Sequence, residues 1–590
     1  MTIFNFLSLI GGIALFLYGM SAMGDGLSKV AGGKMESILE HLTSTPFKGV
    51  LLGAVVTAVI QSSAATTVMV IGFVNSGIMK LTQGIGIIMG ANIGTTITAW
   101  ILALSGIQGE SIILQLLKPS SFSPVVAFIG ILMMMFAKSD RKKDVGQILL
   151  GFSVLMYGMT AMSDAASPLS EMPEFSQFIL KLNNPILGII IGIVLTVVVQ
   201  SSSASIGILE VLAMTGVINY WTVIPVILGE NIGGCSTAMI SSIGAKAKAK
   251  RAAFIHLYFN VIGTVIFVLI FYTINLFHPF AFLNTTASTW GIAIFHTSFN
   301  VATMLILLPV NGLLEKLAEL TIKDDEDDTD KEMEGYTAEL RMLDERFLEQ
   351  PAFAVAQCIT VSDRMAELTE KCLKNALDLL NVFDKKKAAK VTALESAIDT
   401  YEDRLGTYLV KLGGKNLTVS DSEKVTRILQ SITNFERISD HALNIAEIAV
   451  QMNKKELTFS SKGKDELDVY TAAVREIVST TVTAYRENDL SAAKKVEPLE
   501  EVIDGLNDKA RKRHVKRLQK GKCTIELGVL LEDILINLER VSDHCSNVAV
   551  TMIQVDDDML DAHSYIGNLR EENTPEFESM YKMYSEKYNF

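Results

Sequence analysis

The sequence has few cysteines and no excess of positive charge. Its 590 residues include 5 Cys, and 52 Lys or Arg stand against 65 Asp or Glu. The cysteines are scattered without a C-x-x-C spacing, which argues against a disulfide framework and against a cysteine zinc site. A net charge of −13 lacks the positive field that draws a protein to nucleic-acid phosphates, so DNA and RNA are not expected partners.

The first apolar run has no basic residue ahead of it. A cleaved signal peptide begins with Lys or Arg, whereas residues 1 to 23 carry neither and continue for the length of a membrane helix. We therefore expect a retained transmembrane helix. The mean hydropathy of +0.34 is too high for a soluble protein of this length, and the length itself predicts at least two structural units.

Composition divides the chain into a membrane half and a charged half. Long apolar runs fill residues 1 to 315, and an acidic linker over 316 to 344 contains the run from Asp324 to Asp330. Such a block of like charges repels itself and resists burial. Residues 345 to 560 have the charged, heptad-like pattern of a soluble helical bundle, and the tail 561 to 590 gives no functional signal.

The membrane half contains a tandem repeat with a constant shift of 139 residues. Gln61-Ser62-Ser63 aligns with Gln200-Ser201-Ser202, and Asn92-Ile93-Gly94 aligns with Asn231-Ile232-Gly233. We assign repeat 1 to residues 1–144, and repeat 2 with a final membrane helix to residues 145–315. Duplication of this kind is typical of secondary transporters, whose two repeats enclose a site near the bilayer midplane.

Charged loops predict how the repeats are oriented. The basic loops Lys138 to Lys143 and Lys246 to Arg251 are both expected in the cytoplasm. That is consistent with seven crossings if Val50 to Gly77 and Leu187 to Gly216 enter and leave the membrane on one side. The sequence therefore predicts an all-α, multi-pass protein of the cell membrane, with inverted repeats, one re-entrant helical hairpin in each, and a cytoplasmic C-terminal bundle of two three-helix units.

The polar residues of each predicted hairpin lie at its middle. A helix that breaks there frees backbone N–H groups at a positive dipole end, which suits an oxyanion, while Gln and hydroxyl oxygens suit a small cation. Hydrogen bonding between membrane helices is the alternative explanation. Because the pattern is duplicated in register, we favour a site, formed by Gln61, Ser62, Ser63 and Thr66 and by Gln200, Ser201, Ser202 and Ser203.

These motifs, with Gly90-Ala91-Asn92-Ile93-Gly94-Thr95-Thr96 and Gly229-Glu230-Asn231-Ile232-Gly233, resemble the type II sodium/phosphate cotransporters over about residues 5 to 310. The resemblance implies sodium-coupled transport of inorganic phosphate, with the Gln and Ser residues at the substrate and sodium sites. It also carries over Asn92, Thr95, Thr96 and Asn231. Ala64 replaces a third Ser of the first motif, and Gly234-Cys235 replaces a Thr-Thr pair.

Repeat 2 also carries two acids at membrane depth. Glu210 and Glu230 stand where repeat 1 has Ile71 and Ala91. An intramembrane carboxylate is a functional candidate by default, so we assign Glu230 to the ion and substrate site, as a cation ligand or proton carrier. Structural pairing or a position at the membrane edge is the alternative, and it is favoured for Glu210.

Two H-x-x-F-N motifs follow in the membrane half, His256 with Asn260 and His296 with Asn300. Their four-residue spacing places His and Asn on one helix face. We interpret them as interhelical hydrogen bonds rather than catalytic groups.

The charged half carries four E-x-x-x-D pairs on predicted helices. They are Glu395 with Asp399, Glu436 with Asp440, Glu500 with Asp504, and Glu539 with Asp543, and the last pair is expected to point outward. Like charges at this spacing repel unless a cation bridges them. The pattern resembles the PhoU family over about residues 345 to 555, and the resemblance implies clusters of divalent or iron ions. Solvated acids paired with Arg437 or Arg540 remain the alternative.

The sequence thus favours a non-enzymatic, sodium-coupled phosphate transporter with a PhoU-like regulatory domain in the cytoplasm. A membrane sensor that binds phosphate without net transport and signals to a protein partner is a second hypothesis. Phosphate efflux is a third, because sequence does not set direction. A homo-oligomer is also open.

Overall fold

Helices form the architecture, and this computed structural model describes residues 2–31, 45–77, 79–107, 118–172, 175, 184–323, 336–556 and 575–590. Within those ranges there is no β-strand, and one isolated antiparallel bridge joins Asn219 to Thr286. The chain divides into two units, Met1–Asp327 and Asp328–Phe590. The acidic run from Asp324 to Asp330 and tail residues 561–574 lie outside the described residues.

The first unit contains thirteen α-helices within the described ranges, which we number in chain order. They are α1 (Ile3–Ala31), α2 (Pro46–Ile60), α3 (Ser63–Ser76), α4 (Leu81–Ala103), α5 (Pro119–Phe136), α6 (Asp140–Ala166), α7 (Pro185–Val199), α8 (Ser202–Met214), α9 (Tyr220–Gly233), α10 (Cys235–Ser241), α11 (Ala247–Phe277), α12 (Thr289–Leu307) and α13 (Asn311–Thr321).

Six segments among the described residues are long and apolar enough to cross a membrane. They are Ile3–Val30, Leu81–Gly106, Arg141–Leu169, Tyr220–Ser241, Ala247–Phe277 and Thr289–Thr321. The seventh predicted crossing corresponds to α5, whose apolar part is shorter. The protein is therefore a multi-pass membrane protein whose remaining apolar helices, α2, α3, α7 and α8, are each too short to span a bilayer alone.

Those short helices form two helix–break–helix hairpins. Each begins in the same way: an N-cap, Thr45 or Asn184, accepts backbone N–H bonds, and a proline occupies the first turn. The first arm ends at Gln61 or Gln200, and the second arm begins directly after it. Each first arm packs along the helix that follows its hairpin, α2 against α4 and α7 against α9. The fold thus gives each repeat one interrupted helix braced by a continuous neighbour.

Helices α1 and α6, the first of each repeat, pack backbone to backbone. A Cβ atom added to Gly19 would lie 2.2 Å from the backbone nitrogen of Leu155, and one added to Gly158 would lie 2.4 Å from that of Phe16. Small residues allow membrane helices this approach. The two repeats are therefore joined along a seam that has no room for side chains at these points.

The amphipathic helix α13 is held against α11 at its C-terminal end. The buried Arg251 guanidinium donates from Nε and Nη2 to the carbonyl oxygen of Ile322, at 3.1 and 3.0 Å. The hydroxyl groups of Tyr258 and Thr321 lie 2.5 Å apart. Helix α13 buries Leu314 and Ala318. Helix α13, the last helix before the acidic run from Asp324 to Asp330, is therefore fixed to a membrane helix.

The second unit is a helical bundle of two three-helix sets, as the sequence predicts. The first set is α14 (Pro351–Asn381), α15 (Lys385–Gly413) and α16 (Val419–Lys454). The second set is α17 (Ser461–Glu487), α19 (Val496–Gln519) and α20 (Ile525–Asp556). The short helix α18 (Leu490–Ala493) connects α17 to α19, and α21 (Pro575–Lys587) follows at the end of the chain. The apolar stripes predicted on α16 and α20, from Ile428 to Met452 and from Leu531 to Met552, are buried. These two helices also pack against each other.

Candidate functional site

The two hairpins break with the same backbone geometry. Gln61 adopts φ 59° and ψ 24°, and Gln200 adopts φ 57° and ψ 21°, which is the left-handed conformation at the end of each first arm. A non-glycine residue in this conformation carries a steric cost of about 1 kcal/mol or more. Two glutamines in register therefore bear a strained turn that glycine would adopt more readily.

A serine caps the second arm of each hairpin directly after the turn. Ser62 Oγ accepts from the N–H of Ala65 at 3.1 Å, and Ser201 Oγ accepts from that of Ala204 at 3.2 Å. The first N–H groups of a helix have no partner within the helix, and they stand at its positive end. Ser63, Ser202 and Ser203 lie in these first turns, half-buried or buried. Each break is thus an N-terminus suited to an anion.

A hydroxyl pair joins the two arms of each hairpin. Thr57 Oγ1 donates to Thr66 Oγ1 at 2.9 Å, and in repeat 2 Thr196 Oγ1 donates to Ser205 Oγ at 3.1 Å. Thr66 and Ser205 also donate to the backbone carbonyls of Ser62 and Ser201. All four hydroxyl side chains are buried. The same cross-link therefore holds both breaks in shape.

The side chains of the two glutamines are placed differently. Gln61 is 9% exposed, its Oε1 accepts from Thr98 Oγ1 at 2.9 Å, and its Nε2 donates to the carbonyl of Ala58. Gln200 is exposed, and Thr237, the counterpart of Thr98, instead donates to the carbonyl of Gly234. The structure thus holds one amide in place and leaves the other accessible.

The two H-x-x-F-N motifs bond to the two repeated asparagines, which confirms the predicted interhelical hydrogen bonds. His256 Nε2 lies 3.2 Å from Asn92 Oδ1, and His296 Nε2 lies 3.4 Å from Asn231 Oδ1. Asn300 also donates to Asn231 Oδ1 at 3.2 Å. Asn92 and Asn231 are therefore fixed from α11 and α12, beside the hairpins.

The other hydroxyls assigned to this site bond within their own helix. Thr95 Oγ1 donates to the carbonyl of Ala91 at 3.0 Å, and Thr96 Oγ1 donates to that of Ile93 at 2.7 Å. Both residues are buried, and their oxygen lone pairs remain available to accept or to ligate a cation.

Helices of each repeat contact the hairpin of the other repeat. Helix α4 of repeat 1 packs against its own hairpin arm α3 and against α8 of the other hairpin. Helix α10 of repeat 2 packs in turn against α3. A Cβ atom added to Gly234 would lie 3.5 Å from Cβ of Ser202. The second arms of both hairpins are thus enclosed by helices of both repeats, within one interior.

Glu230 lies in this interior, near the middle of the span Tyr220–Ser241. It is fully buried, as is Glu210 on α8, so neither acid lies at an exposed edge of the unit.

In the bundle, the structure gathers three of the predicted metal-ligating acids. One carboxylate oxygen each from Glu500, Asp504 and Asp543 lies within 4.8 Å of the others. These oxygen donors fit a hard cation such as Mg²⁺, Mn²⁺ or Ca²⁺. Glu539 is held apart, because its carboxylate accepts from Asn507 at 2.6 Å and faces Arg511 at 3.6 Å.

The expectation that Glu539 and Asp543 point outward was wrong in one respect. They lie on the polar face of α20, but α19 packs against that face, and both side chains are only about one third exposed. A helical wheel marks a polar face without showing which helix covers it.

The acids of the first set do not gather in the same way among the described residues. They still share one electrostatic environment. Burial and the charge of Asp440 raise the pKa of Glu436 to about 7, and burial together with Asp440, Asp399 and Glu447 raises that of Glu395. Arg437 pairs with Asp440 at 3.3 Å. This face of α15 and α16 therefore holds closely spaced carboxyl groups, and burial and mutual repulsion raise the pKa of Glu436 and of Glu395.

Several residues of the membrane site were missed by sequence reasoning. They are Thr57, Thr98, Thr196 and Ser205, whose buried hydroxyl groups bond to another hydroxyl or to the Gln61 amide. Thr237, the counterpart of Thr98, bonds to the carbonyl of Gly234 instead. The signal was available, since the same shift of 139 residues aligns Thr57 with Thr196, Thr66 with Ser205, and Thr98 with Thr237.

Comparison with known proteins gives the same division of the chain. The Na+/Pi-cotransporter family profile matches residues 15–164 and 170–307, and the PhoU domain profile matches residues 363–449 and 470–552. The "Putative inorganic phosphate export protein YjbB" of Salmonella typhimurium is 23% identical over 93% of this chain and 98% of its own length.

Two further relatives match shorter parts of the chain. The "Uncharacterized protein YqeW" of Bacillus subtilis is 33% identical over 52% of this chain and 96% of its own length. The "Sodium-dependent phosphate transport protein 2A" of Rattus norvegicus is 33% identical over 16% of this chain and 15% of its own length. The chain thus belongs to the Na+/Pi-cotransporter family of phosphate transporters, and it carries a C-terminal PhoU domain.

Proposed function

We propose that this protein moves inorganic phosphate across the cell membrane in a step coupled to sodium, with its PhoU domain in the cytoplasm. The observation that carries the proposal is the pair of matched breaks at Gln61 and Gln200. Each places a strained turn, a capping serine and a helix N-terminus at the same position of its repeat. Paired breaks of this kind are the element that transporters with internal repeats use to bind a substrate.

The chemistry of the breaks suits both ions. Backbone N–H groups and serine hydroxyls of α3 and α8 are donors for phosphate oxygens, and the positive helix ends favour the anion. The Gln61 carbonyl and the hydroxyl oxygens of Ser62, Thr66, Thr95 and Thr96 are neutral ligands for Na+. Both ions are carried without covalent chemistry, so the protein is not an enzyme.

The proposed topology follows from charge and helix length. Hairpins α2–α3 and α7–α8 each consist of two helices too short to span alone, which supports re-entrant hairpins in repeats of opposite orientation. The basic loops at Lys138 to Lys143 and Lys246 to Arg251 favour a cytoplasmic position for both, and hence for the domain that follows α13.

The direction of flux is set by gradients rather than by the site. The YjbB relative, which matches almost the whole chain, is named for phosphate export, whereas the rat relative, which matches over a much shorter stretch, is named for sodium-dependent transport. We therefore propose that the full-length arrangement, transporter plus PhoU domain, serves efflux of phosphate from the cytoplasm. The bundle would regulate that flux by binding a cation at Glu500, Asp504 and Asp543, with Glu395, Asp399, Glu436 and Asp440 as a weaker second set.

The test is flux of labelled phosphate in proteoliposomes that contain the purified full-length chain. We expect flux that depends on sodium, and we expect Gln61→Ala and Gln200→Ala to reduce it at least tenfold if each amide is worth about 1.4 kcal/mol or more to the transported state. Gln430→Ala, at an exposed position of the bundle, is the matched control and should transport normally. Loading phosphate on either side of the membrane shows which direction is faster.

Absence of sodium-dependent flux in both directions would contradict the proposal. If phosphate then still bound, and the bundle captured a protein partner, the sensor hypothesis would replace it.

A further inference from the structure

Repeat 2 places two carboxylic acids in the membrane interior where repeat 1 has none. Glu210 on α8 and Glu230 on α9 are both 0% exposed. Their counterparts in repeat 1, Ile71 and Ala91, are equally buried and apolar. The same fold therefore accepts a hydrocarbon side chain at each position, and packing alone does not require an acid.

The pair has no counter-charge. None of the four carboxylate oxygens has a hydrogen-bond partner among the described residues, and Glu210 lies within electrostatic range of Glu230. Within the described residues, no lysine, arginine or histidine donates a hydrogen bond to either carboxylate. The titratable groups of the elements packed against α8 and α9 are Arg141, Lys142, Lys143, Asp144, Tyr157 and Asp164 on α6, Tyr220 on α9, Cys235 on α10, Lys248, Lys250, Arg251, His256, Tyr258 and Tyr272 on α11, and His296 on α12.

The two buried histidines of the packed helices, His256 and His296, each use Nε2 in a hydrogen bond to an asparagine. His256 bonds to Asn92 and His296 bonds to Asn231. The Nδ1 atoms of both rings have no hydrogen-bond partner among the described residues, and neither ring bonds to Glu210 or Glu230.

Two ionised carboxylates in such an interior would have neither solvent nor a cationic partner to stabilise them. Burial of one uncompensated charge is already costly, and a second like charge on a neighbouring helix adds repulsion, so such groups neutralise by binding protons. A single sodium ion would still leave one negative charge on the two acids, whereas protons remove the charge altogether.

We infer that Glu210 and Glu230 form a proton-carrying site that is loaded and emptied during phosphate transport. The inference rests on the proposed function, to which it adds a second coupling ion. Because the two acids occur in repeat 2 only, we expect pH to affect the contribution of repeat 2 to transport and not that of repeat 1.

The test measures protons and phosphate together in proteoliposomes with a pH-sensitive dye inside and labelled phosphate outside, in the presence of sodium. Phosphate carries its own protons, so the quantity of interest is the number of protons moved per phosphate, compared between variants at one pH. In Glu210→Gln and Glu230→Gln we expect this ratio to fall by about one, because each variant replaces one proton-binding carboxyl group with an amide that does not titrate. Glu319→Gln, an exposed acid on α13, should keep the wild-type ratio.

The outcomes separate the inference from the proposed function. Wild-type protein without sodium-dependent phosphate flux would remove the proposed function. Flux with an unchanged proton ratio in both variants would overturn the inference alone, and so would a loss of about one labelled sodium ion per phosphate with protons unchanged. Glu210→Ile and Glu230→Ala, the residues that repeat 1 carries, provide a second pair of variants that the fold should tolerate.

Infrared spectroscopy of the full-length protein keeps the inference testable if the variants lose flux. The wild type should show the stretching band of a protonated, non-hydrogen-bonded carboxyl group at neutral pH, and the band should weaken in each glutamine variant. Absence of that band from the wild type would overturn the inference.

Discussion

Thr98 Oγ1 lies 2.9 Å from Gln61 Oε1, and this single hydrogen bond distinguishes the two breaks of the transporter unit. Its counterpart Thr237 donates to the carbonyl of Gly234 instead, and Gln200 is exposed. In repeat 1 the glutamine carbonyl is thus oriented before any ion arrives. The two repeats share one backbone design but differ in how firmly their amides are held.

We expect Thr98→Val to weaken transport, because a methyl group replaces the hydroxyl that orients the Gln61 carbonyl. Leaving a buried acceptor without its donor costs about 1–3 kcal/mol, which predicts a loss of roughly 5-fold to 100-fold in apparent sodium or phosphate affinity. Flux measured against sodium concentration tests this. Thr237→Val is the matched control, and an equal loss in that variant would show that the bond to Gln61 is not the cause.

Substitution of the strained glutamines separates backbone strain from side-chain function. Gln61→Gly relieves the left-handed conformation, whereas Gln61→Ala removes the same amide and keeps the strain. We expect the glycine variant to be more stable than the alanine variant by about 1 kcal/mol, and both to lose phosphate flux. Thermal unfolding of the detergent-solubilised chain measures the first effect and proteoliposome flux the second. Full flux in Gln61→Gly would mean that the amide does not contribute.

The acidic face of α15 and α16 should make the stability of the bundle depend on pH. The pKa of Glu436 is raised from its usual value of 4.5 to about 7, first by burial and then by Asp440. A raised carboxyl pKa favours the folded state at low pH, and that stabilisation is lost as the pH rises through about 7. We therefore expect the unfolding temperature of the full chain to fall between about pH 5 and about pH 8.

Glu436→Gln should flatten this dependence, since a neutral amide does not titrate. Glu487→Gln, at an exposed position of α17, should keep it. A wild-type curve that rises over the same interval would contradict the assigned shift.

Divalent cations should stabilise the bundle through α19 and α20. Saturation with Mn²⁺ or Mg²⁺ at about one hundred times the dissociation constant is worth about 2.7 kcal/mol when the unfolded chain does not bind the ion. We expect this gain in thermal unfolding of the wild type and its loss in Glu500→Gln and Asp543→Asn. Glu539→Gln is the control, because Glu539 bonds to Asn507 and Arg511. Equal stabilisation of all four proteins would place the ion elsewhere.

The sequence was sufficient to predict the all-helical fold, the membrane half, the PhoU-like bundle and the place of each break. A shift of 139 residues is visible without coordinates, and a polar stretch inside an apolar run marks where a helix ends. The burial of the stripes on α16 and α20 followed from spacing in the same way.

Side-chain partners were harder to predict because they depend on what packs against a given face. The spacing of His256 and Asn260 predicted an interhelical bond, but not that the partner is Asn92. Gln61 and Gln200 are placed differently because Thr98 donates to the Gln61 amide, whereas Thr237 donates to the carbonyl of Gly234. Sequence spacing does not distinguish these two acceptors. Glu539 is partly covered because Asn507 and Arg511 of α19 contact it, and the residue pattern of α20 alone does not show which helix lies against it.

The glycine seam between α1 and α6 limits how this protein can move. The backbones of α1 and α6 touch at Gly19 and Gly158, so neither helix can slide past the other without a steric clash. We therefore expect α1 and α6 to keep one fixed arrangement relative to each other. If transport requires the two repeats to change their arrangement, the change must therefore occur in helices other than α1 and α6.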